Sequence, residues 1–333
     1  MHTAGRVAHL STPHPEWTKV AESHRVVEEK LSKLYSLPID EFRKVPYRPA
    51  PLSANAPTPG NDLNITEREI EVRDGAMVAL RIYQPIQLEK GHPLFFNIHG
   101  GGWTVGSPET EENQNRLITV RNNAVVVSVD YRKAPEFPFP YALNDSLDAF
   151  KWVRAAFSDV VIIGGGSAGA NVAAVVAQIV RDDGSAQIIG QLLNIPVTCH
   201  PDHCPLKDEH SSFLQMSDAP ILNTERMRWF WDNYIPSGNG NDPRVSPLLA
   251  KSLKGLPQAL IQVAGMDPLR DEGIAYAEAL RSDGVEVTLK LYPGLPHAFY
   301  IYPNLEPSIE YLESMVEWID KILHNTDQAA QTA

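Results

Sequence analysis

Val160-Val161-Ile162-Ile163-Gly164-Gly165-Gly166-Ser167-Ala168-Gly169-Ala170-Asn171 is the stretch on which the reading of this chain turns. Its four consecutive β-branched residues predict a short strand buried on both faces, its glycines a sharp turn, and the Ala- and Val-rich residues 168–180 a helix. Gly165, Ser167 and Gly169 fit Gly-x-Ser-x-Gly, a nucleophile elbow in which small flanking residues let a strained backbone pass while the hydroxyl projects from the sheet. Gly164, Gly166 and Gly169 equally spell G-x-G-x-x-G, the dinucleotide fingerprint, with Asp182 or Asp183 near the ribose-binding offset. A third reading is a glycine turn that merely lets a helix pack close to a sheet.

Composition narrows the field. The 333 residues suffice for one large α/β domain or two smaller ones, and 43% hydrophobic content supplies a core. A formal net charge of −12 without a run of like charge argues against nucleic acid or an anionic membrane surface as partner. Cys199 and Cys204 cannot build a disulfide framework. Residues 1–15 lack the basic and apolar regions of a secretory signal, and no stretch approaches the roughly 18 apolar residues of a membrane span. The expectation is a soluble, cytoplasmic protein in a reducing compartment, with no stable membrane insertion.

Residues 15–35 carry Trp17, Val20, Val26, Val27, Leu31 and Leu34 among charged side chains, an amphipathic helix with imperfect spacing. The prolines of residues 38–59 then impose an extended connection and a plausible domain boundary. Residues 65–72 and 77–83 alternate polar and apolar across Asp74-Gly75, the pattern of a hairpin. Strands are expected at 94–98, 124–129, 160–163, 192–197, 259–264 and 286–292, with helices at 109–120, 144–156, 272–282 and 307–323, and a disordered tail from Asn325. Strands and helices alternating at this spacing predict right-handed crossovers and a mostly parallel sheet. The rhythm lapses over residues 198–242. There a helix at 223–234, capped by Asn223 or Thr224, carries Trp229, Phe230, Trp231 and Tyr234, either as a small core of its own or as the lining of a ligand pocket. An insertion beyond a strand's carboxyl end lies where α/β ligands bind, so this segment, with the N-terminal helix, is a candidate lid.

A serine nucleophile needs a base, an orienting carboxylate and donors for an oxyanion, because a free hydroxyl reacts poorly near neutral pH. Each has a candidate after a different strand. His99-Gly100-Gly101-Gly102 follows the strand at 94–98, and glycines let backbone N–H groups approach a ligand oxygen. Asp267 follows the strand at 259–264, and His297 follows the last strand. The order Ser, Asp, His is that of the α/β-hydrolase triad. Asp271, four residues past Asp267, competes for the carboxylate role. The dinucleotide reading recedes, because Asp182 and Asp183 sit beside Gly184 in a helix-ending turn and not at the end of a second strand. Cys199, His200, His203 and Cys204 could be read as metal ligands, but their spacing lacks a second pair and no metal is expected.

Together, His99-Gly100-Gly101-Gly102-Trp103, Asp130-Tyr131-Arg132-Lys133-Ala134-Pro135-Glu136, the elbow, Gly265-Met266-Asp267-Pro268-Leu269-Arg270-Asp271 and Pro296-His297-Ala298-Phe299 resemble the hormone-sensitive-lipase-like carboxylesterases of the α/β-hydrolase fold. The resemblance runs over roughly residues 65–323. It implies Ser167 as nucleophile, His297 as general base and then acid, Asp267 as its orienting partner, and the backbone N–H groups of Gly101, Gly102 and Ala168 as oxyanion hole. It also implies a catalytic domain over residues 61–197 and 241–326 with a helical cap from 1–60 and 198–240. Many members carry aspartate before the serine, where this chain has Gly166, which removes a charge beside the nucleophile and bears on substrate preference. Such glycine-rich elbows are similar to those of fungal esterases of secondary metabolism.

The function expected is hydrolysis of small to medium acyl esters, with a small-molecule ester as partner, no nucleic acid, no cofactor and no metal. A homodimer is compatible with the sequence. The alternatives are a biosynthetic enzyme using the same site for dehydration, cyclisation or acyl transfer, and a non-catalytic receptor on the same fold, against which the presence of His297 argues.

Overall fold

The computed structural model describes residues 7–89, 91–158, 160–206, 211–236 and 238–332. In chain order the elements are α1 (Pro15–Tyr35), the short α2 (Ile39–Phe42), β1 (Leu63–Glu71), β2 (Met77–Pro85), β3 (Leu94–Ile98), α3 (Glu112–Arg121), β4 (Val125–Asp130), α4 (Tyr141–Ala156), β5 (Val161–Gly166) and α5 (Ala168–Asp183). Then come β6 (Ile188–Asn194), the short α6 (Ser212–Gln215), α7 (Thr224–Tyr234), β7 (Gln258–Met266), α8 (Arg270–Ser282), β8 (Val287–Pro296) and α9 (Glu306–Thr332).

The strands form one sheet in the order β1-β2-β4-β3-β5-β6-β7-β8. β1, β2 and β4 pair antiparallel, and every neighbour from β4 to β8 is parallel, so the sheet is mostly parallel as expected. The β-hairpin turns at Asp74-Gly75, where Gly75 has φ +82° and the Val72 N–H donates to the Ala76 carbonyl.

The central strands are apolar without interruption because both faces are covered. Leu94, Phe96 and Ile98 of β3, Val125 and Val127 of β4, and Val161 and Ile163 of β5 join a core with α4, α5 and α8. Their alternating neighbours Phe95, Val126 and Ile162 face α3, α9 and Trp17 of α1 on the opposite side. β5 lies mid-sheet between β3 and β6, so whatever follows it emerges at the centre of the carboxyl rim.

Several boundaries differ from the sequence expectation for local reasons. The glycines of the elbow belong to β5 itself, paired with β3 and β6 as far as Gly166. A Cβ on Gly164 would lie 2.7 Å from the Leu192 carbonyl oxygen, so strand proximity demands glycine there. α3 starts at Glu112, after a turn in which the Thr110 N–H donates to the Ser107 carbonyl. The strand expected at 192–197 runs over 188–194, and the chain leaves the sheet at Ile195, whose φ is +41°. α9 continues to Thr332, through the tail expected to be disordered. α5 ends at Asp183 with Gly184 left-handed at φ +63°, which puts Asp182 and Asp183 at a helix end, away from any second strand.

Over residues 198–242 the helix carrying the aromatics is α7, and Asn223 is its cap, accepting from the Arg226 N–H at 2.9 Å. The aromatics divide between the two roles. Trp231 and Tyr234 join the core around Trp103, whose ring stacks on Tyr234 at 4.1 Å, while Phe230 lines a cavity. No described helix is long and apolar enough to cross a membrane.

Candidate active site

The residue after β5 is Ser167, with φ +53°, the left-handed turn at which strand passes into helix α5. Both outer glycines of the elbow are required by space. A Cβ on Gly165 would lie 2.2 Å from the Ile98 carbonyl oxygen, and one on Gly169 would lie 1.9 Å from the same atom. The end of β3 is therefore pressed against the elbow, which brings the glycine loop after Ile98 beside the serine.

The hydroxyl of Ser167 stands 3.0 Å from Nε2 of His297. On the other side of the imidazole, Nδ1 is 2.7 Å from Oδ2 of Asp267, whose Oδ1 accepts from the Leu269 N–H at 2.9 Å. All three side chains are buried. Their placement follows from topology, since β5, β7 and β8 end on one rim of the sheet and each residue comes immediately after its strand. Asp271 is held elsewhere: Oδ1 pairs with the buried Arg270 at 2.7 Å and Oδ2 accepts from the Ser212 N–H at 2.7 Å. It belongs to the tie between α8 and α6.

The loop after β3 is pinned through its carbonyls. The His99 carbonyl accepts from the Tyr131 hydroxyl at 2.9 Å, the Gly100 carbonyl from Nδ1 of His99 at 2.7 Å, and the Gly101 carbonyl from the N–H groups of Thr104 and Val105 at 3.0 and 2.9 Å. His99, stacked on Tyr131 at 4.3 Å, is fully buried, and burial lowers its pKa, so it serves as scaffold. Gly101 has φ +118° and Gly102 φ +56°, and a Cβ on Gly102 would lie 2.1 Å from the Phe230 ring. Among the described residues, the N–H groups of Gly101, Gly102 and Ala168 donate to no protein acceptor. Three unpaired donors thus lie in the glycine loop and the elbow, which meet beside a serine that is hydrogen-bonded to an imidazole.

Ser167 and His297 open into a cavity of about 720 Å³, within the range of small-molecule sites. Its wall opposite the rim is mostly apolar. Val20, Val27 and Leu31 come from α1, residues 49–52 from the proline-rich connection, and Met227 and Phe230 from α7. Glu28 ties this wall together. It pairs with the guanidinium of the buried Arg226, accepts from the Ile221 N–H at 3.1 Å, and lies 3.3 Å from Nε2 of His24, whose Nδ1 is 2.6 Å from the Tyr302 hydroxyl.

Sequence reasoning missed Glu111. This carboxyl lines the same cavity, is buried, and accepts from the Gly100 N–H at 3.0 Å through Oε1. Burial pushes its pKa up to about 7, against the opposing pull of Gly100 and Asn97. The only signal was a run of acidic residues at 109, 111 and 112, which reads as a solvated helix start. Cys199 and Cys204 are buried thiols not joined in a disulfide, and among the described residues no group of His, Cys, Asp and Glu is gathered as metal ligands would be.

Comparison with known proteins identifies the family and the fold. Residues 95–301 match a family described as having the alpha/beta hydrolase fold. The chain is 35% identical over 257 residues to the carboxylesterase NlhH of Mycobacterium tuberculosis, covering 74% of this chain and 79% of the relative. It is 31% identical over 249 residues to the versiconal hemiacetal acetate esterase of Aspergillus parasiticus, covering 74% and 78%. The crystal structure of vibralactone cyclase superimposes with a TM-score of 0.81 at 28% identity, over 96% of this chain and 97% of that one. The chain is therefore a member of the alpha/beta hydrolase family, in its hormone-sensitive-lipase-like branch of carboxylesterases.

Proposed function

We propose that the protein hydrolyses carboxylic esters of small to medium acyl chain through a Ser167-His297-Asp267 triad, beneath a cap formed by residues 1–60 and 198–240. The single observation that carries this reading is the unbroken hydrogen-bonded line from the Ser167 hydroxyl through both nitrogens of His297 to Asp267. Nε2 of His297 takes the hydroxyl proton as Oγ attacks the acyl carbonyl carbon, and Asp267 holds the ring with Nδ1–H toward itself and stabilises the imidazolium. The N–H groups of Gly101, Gly102 and Ala168 receive the negative charge that forms on the carbonyl oxygen. One such donor contributes about 3 to 4 kcal/mol in the transition state. The imidazolium then protonates the departing alcohol. Water, deprotonated by the same nitrogen, attacks the acyl-enzyme and releases the acid with Ser167 restored.

The largely apolar cavity favours an uncharged ester with a hydrocarbon portion; a cytoplasmic setting belongs to the same proposal. A series of p-nitrophenyl esters from acetate to decanoate tests it. Wild type is expected to turn over the shorter members, and Ser167→Ala to lose at least about 10³-fold in kcat. Absence of turnover with every ester would overturn the reading. The likeness to a protein named a cyclase favours a second one, in which a hydroxyl on the acyl chain, giving its proton to His297, attacks the acyl-enzyme carbonyl in place of water and displaces Ser167, which takes the proton back as the lactone departs. Product analysis with hydroxyacyl esters distinguishes lactone from free acid.

A further inference from the structure

The residue before the nucleophile, Gly166, has an ordinary backbone conformation, so its lack of a side chain reflects space. A Cβ there would lie 2.9 Å from Oε1 of Glu111 and 3.3 Å from the Tyr300 hydroxyl. The carboxyl of Glu111 thus fills the room that a side chain on residue 166 would take. It comes from the turn that leads into α3, far from the elbow in sequence. It is wedged between two pieces of the site. On one side is the elbow backbone, and on the other the Gly100 N–H, which it holds at 3.0 Å. A Cβ on Gly100 would meet the Gly166 carbonyl oxygen at 2.9 Å and the same Oε1 at 3.3 Å, so the three groups are in close contact.

Among the described residues, Oε2 of Glu111 is buried and finds no hydrogen-bond partner. A buried carboxyl with one orphaned oxygen and no bonded cation is a costly arrangement, uncommon in native structures. Its bond to the Gly100 N–H goes to the root of the glycine loop. The carbonyls of that loop are pinned from elsewhere, by Tyr131, His99, Thr104 and Val105, and Glu111 supplies the remaining tie, on the N–H side. We propose that Glu111 is a positioning residue of the site. Its carboxyl stands in for a side chain on residue 166 and, through the Gly100 N–H, sets where the N–H groups of Gly101 and Gly102 point, without touching substrate. The proposal rests on the reading that those groups receive the oxyanion.

The test is a set of four variants: Glu111→Ala, Glu111→Gln, Gly166→Asp and the double variant Gly166→Asp/Glu111→Ala. Each is assayed for kcat and KM on p-nitrophenyl butyrate and for the rate at which a p-nitrophenyl alkylphosphonate labels Ser167. A displaced oxyanion loop lowers kcat and the labelling rate together while leaving KM nearly alone, so Glu111→Ala is expected to lose about tenfold in both rates. Glu111→Gln keeps an oxygen for the Gly100 N–H and recovers most of that loss. Gly166→Asp alone collides with Glu111 and is expected to fall further than Glu111→Ala, whereas the double variant exceeds both single ones, because the new carboxylate takes over the vacated place.

A Glu111→Ala protein with wild-type kcat, a Glu111→Gln protein as impaired as Glu111→Ala, or a double variant no better than Glu111→Ala would each overturn the proposal. Should Glu111→Ala not fold, a folded and active double variant supports it and a double variant that also fails to fold overturns it. A wild type that is labelled but turns over no ester would remove the esterase reading, and the labelling rates would still decide the role of Glu111. A wild type that is not labelled at all would remove both.

Discussion

Ser167, Asp267 and His297 each follow a strand of one mostly parallel sheet, whereas the wall that faces them belongs to α1, the 49–52 segment and α7, which lie outside that sheet. On the rim, backbone register fixes each residue, and a ladder of hydrogen bonds between buried strands holds the register. The wall is held by side chains: ring contacts of Tyr35 with Phe42, Trp229 and Phe230, and the cluster around Glu28. A rim built from backbone carries exact chemistry. A wall built from side chains can change shape by substitution without disturbing that chemistry.

The contrast can be broken from either side. The largest effect belongs to the rim. Asp267→Asn leaves the shape intact but offers Nδ1 of His297 a donor where it needs an acceptor, and kcat on a p-nitrophenyl ester is expected to fall on the order of 10⁴-fold with little change in KM. A much smaller loss would show that Asp267 does not orient the imidazole.

A smaller effect belongs to the wall. Phe230→Ala removes the ring beside Gly102, and kcat/KM for long acyl chains relative to acetate is expected to rise by about tenfold while the chemistry on acetate persists. An unchanged chain-length profile would mean that α7 does not border the acyl group.

The smallest effect separates the two regions by pH. Burial holds His24 below its ordinary value, so the unfolded chain binds a proton that the folded one refuses. Its contribution to stability is present above about pH 6.5 and is lost as pH falls below that. Burial alone would raise Glu28, but Arg226, the Ile221 N–H and His24 outweigh it and hold the carboxyl below its usual range. That contribution persists to lower pH and goes only as the carboxyl protonates. Amide-exchange protection of α1 is therefore expected to fall severalfold between pH 7 and pH 5, with β5 and α5 unaffected. Equal loss in all three would show that the wall is as firmly held as the sheet.

The same contrast explains what could be read from the amino-acid sequence. Strand β5, the elbow glycines and the residues after β3, β7 and β8 are local patterns, each complete within a few positions, and right-handed crossovers make the sheet mostly parallel, whereas the order of its strands, with β4 between β2 and β3, is a long-range property. Asp271 could be separated from Asp267 only in three dimensions, where Arg270 and the Ser212 N–H occupy it. Glu111 was invisible because burial is inferred from apolar spacing, and the inner side of α3 buries Gln114, Asn115 and Thr119 instead. Gln114 bonds Asn97 of β3 and Asn194 of β6 at 3.2 and 3.0 Å, so polar partners take the place of an apolar stripe. The wall was legible as amphipathic helices but not as a cavity, since Val20, Leu52 and Phe230 share no pattern.

The bond between His24 and Tyr302 spans 278 positions of the chain. In the sequence α1 precedes every strand, whereas its partner Arg226 follows six of the eight strands and Tyr302 follows all of them. Contacts so distant in sequence close the longest loops, and the entropy of that closure favours their forming after the strand pairings of the sheet. A refolding chain is therefore expected to bring Ser167 and His297 together at the edge of the sheet before the wall above them is in place.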